Sequence, residues 1–182
     1  MAHRLMDWID ARATGRAVTI AFGVTLAINA PLAYFTAAVH SIAPGSTIPD
    51  MLGLVSQAEL LQALDALGEA GREAYIPVAA WDLIYPLVYG SLMTLCLAWG
   101  LRERFATRPR LRSVILLPSG AILADYVENL SVLSILSQWP EAPATTVLLA
   151  TVGHTVKWLL VITSALLSLV ALYAGIHRQR TR

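Results

Sequence analysis

Four uninterrupted apolar stretches govern what this 182-residue chain can fold into. They cover about residues 17–40, 76–101, 113–139 and 145–176, each at or beyond the roughly 20 residues a helix needs to cross a hydrocarbon core. Strands would have to alternate in polarity and close into a barrel; these runs do not alternate, and four are too few. The expectation is an all-α integral membrane protein, a four-helix bundle forming a single transmembrane domain over 1–182. Composition agrees, with 57% hydrophobic and 14% charged residues, against about 45–50% and 25% in soluble domains. The first apolar core, 17–38, is too long for the roughly 7–15-residue core of a secretory signal and is read as retained.

Charge placement sets the orientation. Of 13 basic residues, Arg4, Arg12 and Arg16 precede the first span, and five arginines lie between Leu101 and Arg112. Arg178, Arg180 and Arg182 end the chain, Lys157 lies within a span, and Arg72 alone falls on the opposite side. Basic loops stay in the cytoplasm, so both termini are read as cytoplasmic. A net charge of +1 argues against a nucleic-acid partner. The single Cys96 excludes a disulfide framework and a cysteine zinc site, and four histidines are too few for the di-iron sites of membrane desaturases. No metal is expected and the cofactor is unknown. The bilayer is the sure partner, and four helices can stand alone or pair as a homo-oligomer.

The first extracytoplasmic connection, 41–75, is the only sizeable one. Pro44-Gly45-Ser46 reads as a turn. Ser56 and Glu59 form a capping-box pattern ahead of the stripe Leu60, Leu61, Leu64 and Leu67, with Gly68 and Gly71 as stops. The resulting short amphipathic helix lies at the lipid interface or across the mouth of the bundle as a lid.

Ionisable residues at membrane depth are costly and therefore face inward, pair or function. Asp82, Tyr85 and Tyr89 share one face of the second span, Asp125, Glu128 and Asn129 one face of the third, and His154 and Lys157 one face of the fourth. The first span adds Asn29. At about 1.5 Å per residue, Asp82 lies roughly 9 Å deep, Glu128 and His154 roughly 15 Å, and Asp125 and Lys157 roughly 20 Å. The three faces thus meet at overlapping depths. Pro86 withholds the N–H that the Asp82 carbonyl would accept, leaving an acceptor-rich corner suited to Lys157, Arg72, water or a cation, and Pro31 does the same to Ala27 beside Asn29. Pro77 is expected in a first turn, where it costs little. Three carboxyls against Lys157 and an inward Arg72 still sum to −1 unless His154 is charged, so a protonated carboxyl or a bound cation is expected. The alternative is that the same pairs simply hold helices together. Trp81, Trp139 and Trp158 are read as packing or interface residues, Cys96 as a small apolar packer, and Ser164, Ser168, Ala171 and Gly175 as a face for close helix contact.

Three functional classes fit. In the first, a small or lipophilic ligand binds within the bundle, with Asp125, Glu128 and His154 as candidate proton-transfer groups and Asp82, Tyr85, Tyr89, Asn129, Lys157, Arg72 and Asn29 as candidate ligand contacts. Membrane isomerases of the sterol-isomerase type resemble this in architecture. Proton- or cation-coupled transport is the second class, although no discontinuous helix is evident in the sequence. The third is a non-catalytic membrane subunit or assembly factor with structural ion pairs. Haem ligation is disfavoured by the different depths of His40 and His154, and a Gly-x-Ser-x-Gly motif is absent.

The strings Leu67-Gly-Glu-Ala-Gly-Arg-Glu-Ala-Tyr75, Asp82-Leu-Ile-Tyr-Pro-Leu-Val-Tyr-Gly90, Asp125-Tyr-Val-Glu-Asn129 and Lys157-Trp158 resemble a family of small four-helix integral membrane proteins of bacteria with no known biochemical function. The resemblance covers nearly the whole chain. It implies a bacterial cytoplasmic membrane and supplies no substrate. It also draws attention to Gly71, Arg72 and Tyr75, with Arg72 reaching in as counter-charge to Asp82 or Glu128.

Overall fold

Each apolar run forms helix, and the connections are more structured than their polarity suggests. The computed structural model describes residues 2–180, so Arg182 of the basic tail lies outside the described residues. The elements are α1 (Ala2–Arg12), α2 (Gly15–Ile42), α3 (Gln57–Ala66), α4 (Gly68–Trp81), α5 (Tyr85–Gly100), α6 (Arg102–Thr107), α7 (Leu117–Ser137) and α8 (Ala144–Arg180). Short 3-10 turns occupy Pro49–Met51 and Pro109–Leu116. Among the described residues, four helical segments are long and apolar enough to cross a membrane: Gly15–Ile42, Gly68–Gly100, Arg110–Ser137 and Ala144–Arg180.

Local chemistry sets the boundaries. Thr14 opens α2 by accepting from the Ala17 N–H at 3.1 Å. Ser56 and Glu59 form the expected capping box at the start of α3. Gly68, at φ 66, separates α3 from α4 in a conformation that only glycine adopts cheaply. Gly71, expected as a second stop, instead lies inside α4, where a Cβ would sit 3.1 Å from that of Ala43. Because α4 starts at Gly68, Pro77 is interior to a helix rather than in a first turn. Hydropathy placed the start of that span too late, since the polar turn before Tyr75 continues the helix.

The second span is also discontinuous, contrary to the sequence reading. Its hydrogen-bond ladder tightens at Leu83 N–H to Ala80 (3.3 Å) and Ile84 N–H to Trp81 (3.0 Å), then restarts at Tyr85 with Pro86 in the first turn. Proline removes the donor, and two side chains of α7 take over: Asn129 Nδ2 donates to the Asp82 carbonyl at 3.1 Å and the Tyr126 hydroxyl to the Leu83 carbonyl at 2.8 Å.

The packing is unequal. α7 and α8 lie along one another, α5 contacts both, and α2 leans on α4 and α5 without extended packing to α8. Two apolar clusters seal the two ends. One unites Val39, Ile48, Leu60, Leu64, Leu67, Val78 and Ile135 and takes in the buried stripe of α3, so this helix docks on the helical body. The other unites Met6, Val18, Cys96, Leu97, Trp99, Phe105 and Ile115. At that second end Arg112 pairs with Asp7 (2.6 Å) and Asp10 (2.5 Å), Arg102 donates to the carbonyls of Asp10 and Ala13, and Arg178 donates to the Trp99 carbonyl at 2.9 Å. The arginines thus tie the helix ends together at this end of the structure.

The small face of α8 is buried as expected, with Ser164 and Ala171 fully enclosed. Its partner is Gly100, where an added Cβ would lie 2.0 Å from the Ala171 carbonyl oxygen. Gly100→Ala is expected to lower stability by about 1–3 kcal/mol. Gly23→Ala, whose Cβ would meet nothing within 4 Å, is expected to leave it unchanged or slightly raised. Thermal unfolding of both variants in detergent followed by circular dichroism checks the contrast.

Candidate functional site

Between the two apolar clusters lies a polar layer centred on Glu128. Its carboxylate receives two cationic or protonatable partners from successive turns of α8: His154 Nδ1 lies 2.7 Å from Oε1 and Lys157 Nζ 2.5 Å from Oε2. Lys157 also lies 3.8 Å from Asp125 Oδ1, one turn earlier on α7. Matched spacing of three residues on both helices makes this ladder possible. Gly153 sets the interhelix distance, since a Cβ there would lie 2.8 Å from the Glu128 amide nitrogen and 3.0 Å from the Ala124 carbonyl oxygen. Asp125, Glu128, Asn129, His154 and Lys157 are all buried.

The hydrogen-bond geometry locates protons. His154 Nε2 lies 2.7 Å from the Gly53 carbonyl oxygen, which only accepts, so Nε2 carries hydrogen. One further proton must then lie between Nδ1 and Glu128 Oε1, whichever of the two atoms owns it. Asp125 is held by the Tyr89 hydroxyl, which donates to Oδ2 at 2.7 Å, and by Asn129 Nδ2, which donates to Oδ1 at 2.9 Å. The same amide reaches Asp82 Oδ2 at 3.1 Å. Asn129 therefore ties α7 to the broken turn of the second span, through both backbone and side chain.

A cavity of about 730 Å³ adjoins this layer. Asn29, Leu32, Ala33, Thr36, Ala37 and His40 of α2 form one wall, and Val78, Tyr85, Tyr89, Met93, Trp158 and Val161 most of the opposite one. The segment before α3 contributes Ile48, Asp50 and Met51, and the charged groups on the lining are Asp50, Asp82, Asp125 and Lys157. The walls are chiefly apolar.

The structure thus brings Asp82, Tyr85, Tyr89, Asp125, Lys157 and Asn29 to one cavity, with Asn129 bonded to two of its carboxyls. Glu128 and His154 are not on its lining; they stand behind it and hold Lys157 and the loop at Gly53. Arg72 goes elsewhere: its guanidinium donates to the Leu64 carbonyl at 3.1 Å and stacks over Trp139 at 4.7 Å, closing α3 instead of countering Asp82 or Glu128. Trp81 does pack, against Phe35, and its Nε1 donates to the Ile28 carbonyl at 3.2 Å. Trp158, read from the sequence as a packing or interface residue, lines the cavity, and its buried Nε1 has no hydrogen-bond partner.

Asp50 is the residue that sequence reasoning missed. It was one of several acids on a polar connection, and only folding of that connection onto the helices brings it inside. The Tyr75 hydroxyl donates to Oδ2 at 2.7 Å, while Oδ1 is shielded from solvent without a partner. Burial pushes the Asp50 carboxyl above the usual carboxylate range, against the opposing pull of Lys157, with Glu128 pushing the same way as burial. The signal available in the sequence was the Pro49-Asp50 pair opening a 3-10 turn, which by itself is ordinary loop chemistry. Among the described residues no three histidine, cysteine, aspartate or glutamate side chains are grouped to hold a metal ion.

Comparison with protein families, with curated proteins and with solved structures finds no match to this chain.

Replacing Glu128 with glutamine strands Lys157 at membrane depth beside Asp125 alone. The expected loss is about 3–5 kcal/mol, the scale for breaking a buried ion pair, read as a fall in the unfolding midpoint in detergent. Asp50 has the opposite polarity. Because the fold favours its neutral form, its contribution is present in full below the ordinary carboxylate value of 3.8 and is lost as pH rises through the raised value. The stability of the wild type relative to Asp50→Asn is expected to decline across that window in pH-series thermal melts, whereas a constant difference would contradict the assignment.

Proposed function

We propose that this chain is a four-helix integral membrane protein that binds a lipophilic small molecule drawn from the bilayer. Both termini face the cytoplasm of a bacterial cell. The polar layer lies in the outer half of the membrane, with α3 on the extracytoplasmic side as a lid. The observation that carries the reading is the mostly apolar cavity flanked by α2 and α8, two helices that do not pack along each other. A hydrophobic molecule can enter such a gap laterally without crossing water. The few polar groups on the lining then fix its orientation, as in small-molecule sites generally.

Proton transfer is the chemistry that the lining favours. Asp125 lies on the cavity wall and is connected through Lys157 to Glu128, and through Glu128 to His154 and the loop carbonyl of Gly53. A proton given up or taken by a ligand at Asp125 thus has a continuous set of groups to redistribute it. Glu128 and His154 act as positioning residues. The second reading, proton- or cation-coupled transport, is favoured by the interruption of the second span at Asp82, since broken helices mark many transporter sites. The carbonyls freed by that interruption already have donors in Asn129 and Tyr126, which weighs toward a fixed binding site.

The test uses protein purified in mild detergent and analysed by native mass spectrometry and lipid extraction. A lipophilic molecule is expected to copurify with the wild type and to be lost from Ala37→Trp, which places an indole in the cavity from α2 and leaves every charged side chain in the sequence. Equal retention by the two proteins would sink the reading.

A further inference from the structure

We propose that the cavity takes an organic cation, a lipophilic molecule whose amine or quaternary ammonium head sits among Asp50, Asp82 and Asp125 and whose apolar body lies along α2. This rests on the cavity being a lipophile site and adds the charge class of the occupant.

The charges of the groups that face one another do not balance. Glu128 and His154 share one proton beyond the Nε2 hydrogen, and Lys157 is paired to Glu128 at 2.5 Å. That trio carries +1, and Asp125 at 3.8 Å from Lys157 cancels it. Asp50 and Asp82 remain. Their polar neighbours are Tyr75 and Asn129, which donate hydrogen bonds but bring no charge. Tyr85 and Tyr89 on the lining bring no positive charge, and His40 of α2 is the one other basic side chain there, so even a positive charge on it would leave one negative charge without a counterpart. Both uncompensated carboxyls are on the cavity wall. Asp50 also presents a solvent-shielded oxygen with no hydrogen-bond partner, an acceptor awaiting a donor. Without a ligand, neutrality is reached by protons on Asp50 and Asp82. A bound cation replaces a proton, which leaves to solvent.

The occupant is organic and not a metal ion for two reasons. The carboxyls are not grouped for coordination among the described residues, and most of the wall is hydrocarbon, including Leu32, Ala33, Val78, Met93 and Val161. Tyr85 and Trp158 on the same wall add aromatic faces, which attract ammonium groups.

The test is equilibrium binding of radiolabelled tetraphenylphosphonium to the full chain in phosphatidylcholine nanodiscs, with empty nanodiscs as background. Saturable binding is expected, with release of protons to an indicator dye and affinity that falls as pH is lowered. Asp50→Asn and Asp82→Asn are each expected to weaken it roughly tenfold, through loss of one opposite charge facing a partly desolvated cation. Neutral triphenylphosphine oxide is expected to compete poorly. If it competes as well as the cation and the asparagine variants bind unchanged, the charge class is wrong while the lipophile cavity stands. If nothing binds above background and Ala37→Trp also leaves copurifying molecules unaffected, both readings fall. Gel filtration checks folding of the variants. Should Asp82→Asn not fold, Asp50→Asn and the wild-type pH series decide the outcome alone.

Discussion

A carboxylate cannot remain alone at membrane depth, and the way Glu128 is neutralised organises the rest of the molecule. Its partners come from two turns of one neighbouring helix, His154 at 2.7 Å and Lys157 at 2.5 Å. Pairing at these distances needs α7 and α8 to approach until backbone meets backbone, which the missing side chain of Gly153 permits. His154 then extends the ladder outward to the carbonyl of Gly53 and fixes a connecting segment that would otherwise have little to hold it. One buried charge therefore specifies a helix spacing, a side-chain protonation pattern and the position of a loop. In lipid, where apolar contacts between helices gain little over contacts with acyl chains, such polar pairing sets the register between helices.

A second polar demand is answered by the same helix. Pro86 interrupts the second span, and an interrupted helix in a membrane leaves carbonyl groups that water cannot reach. Asn129 and Tyr126 supply the donors, so α7 serves both the carboxyl ladder on one side and the broken turn beside it. With α5, α7 and α8 committed to each other, α2 is left leaning on α4 and α5. The cavity is the space this unequal packing leaves between α2 and the charged layer. Apolar clusters close the layer at both ends, so the polar groups are confined to the middle of the structure.

Much of the site was readable one helix at a time. Asp125, Glu128 and Asn129 were expected on one face, as were His154 and Lys157, because helical periodicity is strict and charged residues in apolar runs are conspicuous. Depth along the helices even matched Glu128 with His154. The capping box and the buried stripe of α3 were legible for the same reason, being local patterns. Asp50 was not, since an acid on a polar connection looks solvated until the connection folds inward. Arg72 misled in the opposite direction: its charge suggested a carboxylate partner, but Leu64 and Trp139 lie closer. Pro77 and the extent of α4 were misjudged because hydropathy finds where lipid contact begins, which is not where a helix begins.

From its amino acids alone, then, this chain is committed to spanning a membrane as helices with a small set of charged residues turned inward, because hydrocarbon tolerates neither unsatisfied backbone nor lone charge. Which of those residues face a cavity and which stand behind it depended on tertiary structure. Glu128 and His154 became support, while Asp82 and Asp125 were joined on the wall by Asp50 from a loop. That division follows from the distance at which α8 crosses α7 and from the side on which α2 fails to close, and neither quantity is written in the periodicity of any single helix.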